Sequence, residues 1–392
     1  MARRDRVLVL VTLLAVGCGL TRVRTLPDSL PQLTVHSIAL PGAPAAGVFM
    51  DYLAYDRARH RVWVPAGNTG SVYVVDATND EVTRVGGFPT TEVERRGTRR
   101  IVGPSSATVG HDVVYVGNRG DSRVCSVDAV SLRVGPCITL DSPPDGLAYV
   151  ASAAEVWVTT PRDKSIMVID VATADTLTVK AKISLDGQPE GFAVDEARGE
   201  FYTNLEDTDR TLTIDITSRQ VTRTWLPGCD VDGPKGLAVD HGLNFLFVAC
   251  RDRVMVLDAG HDGKQLSSIE EGDGLDNIDY VESRHELYAA AARAARLTIV
   301  RLDTHGGLQA LATASTVAGA RNAVATDEGT AYLTDSAEGK ILVVAPITLT
   351  PSLRSPGTAR QTKLGGDDTD RYDYAHSACN GYTDPSDAGH AH

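Results

Sequence analysis

Residues 144–195 read PDGLAYVASAAEVWVTTPRDKSIMVIDVATADTLTVKAKISLDGQPEGFAVD, one whole unit of a repeat and the opening of the next. Four segments rich in Val, Ile, Leu and Tyr (GLAYV, EVWVTT, SIMVID and LTVKAKISL) are separated by Pro, Asp, Ser and Gly clusters. Their short lengths, β-branched content and intervening turn residues predict four antiparallel strands. PDGLAYV then returns as PEGFAVD, with Glu190 where Asp145 stood. A small sheet of this kind cannot bury both of its faces by itself, so successive units have to stack on one another.

Seven such units can be placed. The residue two before the apolar pair of the first strand is Asp51, Ser105, Asp145, Glu190, Lys235, Asp276 and Arg321 in turn. Successive offsets run from 40 (Ser105 to Asp145) to 54 (Asp51 to Ser105). Four strands per period of this length indicate propeller blades. The expected fold is therefore all-β, a seven-bladed β-propeller of four-stranded antiparallel blades over residues 33–350. The third strand closes on an Asp in six units (Asp76, Asp128, Asp170, Asp215, Asp258 and Asp303), where a short acceptor side chain can bond turn amides. The seventh unit stops after three strands, and residues 33–42, LTVHSIALPG, match the fourth-strand pattern without a partner of their own. An N-terminal strand is thus expected to close the last blade.

Both ends of the chain differ from the repeats. Residues 1–17 carry Arg3, Arg4 and Arg6 followed by the apolar run VLVLVTLLAVG, too short to span a bilayer and suited to a signal peptide. Ala15-Val16-Gly17 before Cys18 has the small residues a signal peptidase needs. It also resembles a bacterial lipobox, with Ala15 where Leu is usual. Lipidation at Cys18 and simple secretion both stay open, giving a periplasmic, outer-membrane or cell-surface lipoprotein or a secreted protein. Residues 18–32 are expected as a short polar tether, and residues 351–392, which have no strand period, as a polar tail.

The formal net charge of −13 becomes −15 once Arg3, Arg4, Asp5 and Arg6 leave with the leader. An acidic body without a basic stripe argues against nucleic acid as a partner, and a membrane enters only through the lipid anchor. The expected state is a monomer. In an exported chain, six cysteines invite pairing. Cys125 and Cys137 face each other across a hairpin of unit two, and Cys229 and Cys250 fall on one face of unit five. Free thiols are the alternative, and Cys379 is left single.

The segments VWVPAGNTGSVYVVDATNDEVTRVGGF and residues 156–195 resemble the YVTN-repeat family of bacterial seven-bladed β-propellers. The likeness covers about residues 33–347 and rests on strand and turn positions, so it implies a fold and leaves activity unspecified.

Inner strands begin on one face of a propeller. Asp51, Ser105, Asp145, Glu190, Lys235, Asp276 and Arg321 are therefore expected to gather at the mouth of the central channel, as a ligand-binding ring. One reading makes the ring a set of ion pairs, with Lys235 between Glu190 and Asp276 and Arg321 beside Asp276. The other makes it a metal site. GLDNIDYV, residues 274–281, is similar to the Asp-Asn-Ile segment of calcium-dependent lactonase propellers of the paraoxonase and gluconolactonase type. That resemblance implies calcium held by Asp276 and Asn277, with Asp51, Asp145 and Glu190 at comparable positions. Those enzymes have six blades and usually present Asn where Asp145 and Glu190 stand, and Lys235 would point a positive charge at the ion. The leading expectation is a binding or scaffold protein without a cofactor, taking a protein, a cell-envelope component or a small polar ligand. A metal-dependent lactonase or esterase is the alternative.

No catalytic set stands out: HExxH, GxSxG and phosphate-loop motifs are absent. His60, His111, His241 and His285 are expected in solvated turns on the face opposite the mouth. Two loops fall on the mouth face. PTTEVERRGTRR, residues 89–100, is expected as a solvated insertion or a lid for an anion. GNRGDS, residues 117–122, holds an Arg-Gly-Asp tripeptide in what reads as an ordinary hairpin turn.

Overall fold

The computed structural model describes residues 22–348 apart from 28, 96, 174 and 175. The leader, Cys18, and residues 351–392 with Cys379 lie outside the described residues. Seven antiparallel four-stranded sheets follow one another along the chain, and no α-helix occurs among the described residues. Blade one is typical, with Ala54–Asp56 innermost, then Arg61–Ala66, Ser71–Asp76 and Val82–Gly86.

The core is divided among the spaces between blades. Each of seven apolar clusters joins one blade to the next, and the cluster holding Ile38, Val62, Tyr73 and Tyr332 joins blade seven to blade one. The few aromatic residues have a regular place in this arrangement. Each blade carries one buried aromatic at the same position of its second strand: Trp63, Tyr115, Trp157, Tyr202, Phe247, Tyr288 and Tyr332. In blades three, four and six a carboxylate two residues earlier accepts the ring's polar hydrogen. Trp157 Nε1 donates to Glu155 at 2.9 Å, Tyr288 to Glu286 at 3.0 Å, and Tyr202 bonds Glu200. Blade one has Arg61 in that place, and Trp63 Nε1 is buried without a partner.

Blade seven is completed by Val35–Ala39, antiparallel to Lys340–Val344 with Ile38 opposite Ile341, as the orphan N-terminal strand predicts. The aspartates that close the third strands act as turn acceptors. Asp76 takes the Thr78 amide, Asp128 that of Ser131, Asp215 that of Ser218 and Asp303 those of His305 and Gly307. Cys125 and Cys137 stand opposite one another in the hairpin register and are bonded, as are Cys229 and Cys250.

Two segments depart from expectation. The stretch read as a tether is docked: Arg22–Arg24 runs parallel to Lys264–Glu270 as a fifth strand outside blade five. Leu26 and Leu30 then pack on the cluster between blades five and six, and Pro31 and Leu33 exchange backbone bonds with Thr313. Apolar side chains spaced through a polar stretch, beside open strand edges, outweigh its overall polarity. Residues 89–100 form a hairpin, Thr91–Arg95 with Thr98–Val102, across which Glu92 pairs with Arg99 at 3.2 Å.

The two tryptophans should respond differently to loss of the indole nitrogen. Trp157→Phe removes a buried hydrogen bond and is expected to cost about 1–2 kcal/mol more than Trp63→Phe, read from urea unfolding midpoints.

Candidate functional site at the channel mouth

The inner strands of neighbouring blades approach so closely at the mouth that their backbones bond to each other. Gly191 N donates to Lys235 O at 3.1 Å, Gly236 N to Asp276 O at 3.0 Å and Tyr52 N to Ser105 O at 3.0 Å. A Cβ on Gly191 would lie 2.2 Å from Lys235 O, and one on Gly236 would lie 2.4 Å from Asp276 O. Only glycine allows this approach, and it brings the residues one place earlier, Glu190 and Lys235, to the channel rim.

The network at the mouth is organised by Arg119, which no ring position contains. Arg119 follows the second strand of blade two, Val113–Asn118, and reaches across the mouth. Its Nη2 donates to Asp51 Oδ2 at 3.0 Å and also bonds Asp145, and its Nε lies 3.3 Å from Pro144 O. The other oxygen of Asp51 takes Asn322 Nδ2 at 3.1 Å, and Asn322 Oδ1 takes Asn277 Nδ2 at 3.3 Å. Arg321 bonds Asp276 and lies 3.8 Å from Asp51. Asp51, Asp145, Asp276, Arg321, Asn277 and Arg119 are thus one connected set.

Three ring residues behave differently from expectation. Lys235 does not sit between Glu190 and Asp276; it bonds Glu206 of the neighbouring loop at 3.1 Å. Ser105 is buried with its hydroxyl unpartnered, so it offers nothing at the mouth. Glu190 has no Lys or Arg within salt-bridge distance among the described residues, and its one side-chain partner is Tyr52 Oη, which donates at 3.3 Å. Arg119 and Glu206 both come from loops between second and third strands, a register that a search based on inner strands does not sample. The one signal for Arg119 was a lone cation in a mouth-face loop opposite acids. Its engagement with Asp51 and Asp145 also takes the arginine of the Arg-Gly-Asp tripeptide out of use as a free adhesion motif.

The electrostatics follow from this pairing. Burial, reinforced by Asp145, Asp276, Glu206 and Asp51, raises the Glu190 carboxyl well above the usual carboxylate range. Asp276 is pushed up to about 6 by burial, with Asp51 and Asp145 adding to the rise while Arg321 and Lys235 oppose it. Burial and the surrounding carboxylates also hold Tyr52 well above its ordinary value, so its hydroxyl stays a donor.

Of the five residues of the calcium reading, Asp51 and Asp145 share a guanidinium and Asp276 holds another, Asn277 donates its amide to Asn322 Oδ1, and Glu190 accepts from Tyr52 Oη. Among the described residues no group of three or more His, Cys, Asp or Glu side chains is placed to hold a metal. The histidines on the opposite face are engaged separately: His60 with Tyr55 Oη at 3.1 Å, and His241 with Glu282 at 2.8 Å.

Beneath the ring, Tyr52 crosses from blade one toward blade four and stacks on Phe192 with ring centroids 5.8 Å apart. It borders two cavities of the channel, of about 190 and 390 Å3.

No known family model matches the chain, and no curated protein resembles it significantly. Many solved structures share its fold. A streptogramin B lyase superposes with a TM-score of 0.62 at 10% identity, over 80% of this chain and 97% of the lyase. A catalytically inactive virginiamycin B lyase from Staphylococcus aureus, solved with quinupristin, gives 0.63 at 11% identity over 81% and 100%. A chain of the mitotic checkpoint complex gives 0.62 at 13% over 87% and 98%. At these identities the likeness establishes the propeller fold alone.

Two substitutions separate paired from unpaired charge. Arg119→Ala leaves Asp51 and Asp145 buried without their shared cation and is expected to cost about 3 kcal/mol near pH 7. The deficit should narrow as the pH falls, because burial raises the Asp145 carboxyl and lets it take up a proton. Glu190→Gln should have the opposite sign. Because the folded-state pKa of Glu190 is raised, its ionisation opposes folding above that pKa and has no effect below the unfolded value. The variant is expected to gain about 1 kcal/mol at pH 8 and nothing at pH 4, measured by urea unfolding across the range.

Proposed function

We propose that this is an exported binding or scaffold propeller of the YVTN-repeat type, which docks a protein partner on its channel-mouth face. The observation that carries the reading is Val231, fully solvent-exposed on a mouth-face loop that is fixed in place. Cys229–Cys250 pins one end of that loop, and Arg253–Asp230 at 2.8 Å and Arg251–Asp232 at 3.2 Å hold the rest. Leu226 in the same connection is also well exposed, as are Ile101 and Val317 in the corresponding connections elsewhere on that face. Apolar side chains held out on rigid loops around a polar centre resemble the anchors of a docking surface, where little ordering entropy remains to be lost. The mouth network supports binding over hydrolysis, because Asp51, Asp145 and Asp276 are engaged by Arg119 and Arg321.

Export is read from residues 1–17, and two disulfides suit an oxidising compartment. Cys18 is the proposed lipidation site. The docking reading is tested with the double variant Leu226→Asp, Val231→Asp, used as bait in envelope extracts beside the wild-type protein. A specific partner retained by the wild type and lost by the variant, at an unchanged melting temperature, is the expected result. Equal retention by both proteins overturns it.

A further inference from the structure

The channel beneath Tyr52 has a chemistry that neither the mouth ring nor the docking face uses. Its larger cavity, about 390 Å3, falls within the volumes of small-molecule sites, roughly 300–1,000 Å3. Its wall mixes apolar groups (Leu53, Leu147, Val324 and the rings of Phe192 and Tyr52, stacked on one another) with the polar groups of Arg57, Thr108 and Asp279 in about equal measure. A single carboxylate, Asp279, faces both this cavity and the smaller one above it.

Asp279 is held in place without being neutralised. Its Oδ1 accepts the Tyr280 amide at 2.9 Å and its Oδ2 the Ala325 amide at 2.7 Å. A carboxylate can accept about four hydrogen bonds, so about half of that capacity is open to the channel. Among the described residues no Lys, Arg or His lies within salt-bridge distance of it. Arg57, the cation lining the same cavity, is turned to Asp327 at 2.9 Å. On the lower rim Glu328, Asp327 and Asp56 stand near Tyr55 against Arg57, paired with Asp327, and Arg59, paired with Asp56 at 3.2 Å, which leaves one acid in excess. Burial raises the Asp279 carboxyl, as an acid awaiting a counter-ion requires.

We infer that this lower channel binds a small organic amine with an aromatic or aliphatic body, its ammonium on Asp279 and its apolar part against Phe192 and Tyr52. The acidic rim favours cations on approach and disfavours anions. Aromatic faces add to the attraction for an ammonium group. A neutral analogue of the same shape keeps the apolar contacts and loses the charge-assisted hydrogen bond. The inference does not depend on the docking face, which lies at the other end of the channel.

Tryptamine, tryptophol and indole-3-propionate present one ring system with a cationic, neutral or anionic end, and calorimetric titration at pH 7 tests all three. Tryptamine is expected to bind the wild-type protein at least tenfold more tightly than tryptophol, with the propionate not bound. Asp279→Asn keeps one of the two acceptors for the backbone amides and should weaken tryptamine tenfold or more while weakening tryptophol far less. Val194→Trp narrows the same cavity without touching Asp279 and should weaken both. Failure of tryptamine to bind the wild type, equal affinity for tryptamine and tryptophol, or undiminished tryptamine binding in both variants overturns the inference.

Discussion

Each blade buries its apolar faces only against its neighbours, so the structure depends on the ring being closed. Seven sheets need seven interfaces, and the last of them exists only because Val35–Ala39 pairs with Lys340–Val344 and brings Ile38 onto the cluster between blades seven and one. Without that strand, blade seven would present a free edge, and one interface would lose part of its cover. The aromatic residue on each second strand belongs to the same logic. Large rings are scarce in this chain, and placing one per blade spreads bulky packing evenly around the ring instead of concentrating it in one core.

The mouth shows what close approach of the inner strands does to charge. Backbone bonds through Gly191 and Gly236 draw the inner strands together, which crowds side chains of like charge into a confined space. Arg119, Arg321 and Lys235 relieve most of that repulsion from three separate blades, and Glu190 is left to a tyrosine hydroxyl. A ring of this kind is rigid, because moving any one member leaves a buried charge without its partner. Tyr52 forms its floor, with its hydroxyl toward Glu190 and its ring stacked on Phe192.

Blade number, strand content and closure were legible in the sequence because they are repeated, and a period is visible without knowledge of any contact. The turn aspartates and both disulfides were legible for the same reason, since each follows from position within a unit. Arg119 was not legible: it occurs once, in a loop whose composition is that of an ordinary turn, and its partners are 26 and 68 residues away in sequence. Lys235 was placed correctly on its strand, but its partner was not foreseen, because Glu206 lies outside the inner-strand register. Asp279, within GLDNIDYV, was not legible as a channel residue, because the cavity it lines is assembled from side chains of several blades that are far apart in sequence. Within the expected tether of residues 18–32, Leu26 and Leu30 weigh little in a polar composition and much beside an open strand edge.

The docked strand Arg22–Arg24 also fixes where the chain leaves the ring. The chain therefore joins the propeller at the outer edge of blade five, away from both openings of the channel, and any load on the N-terminus falls on a strand edge and not on the mouth.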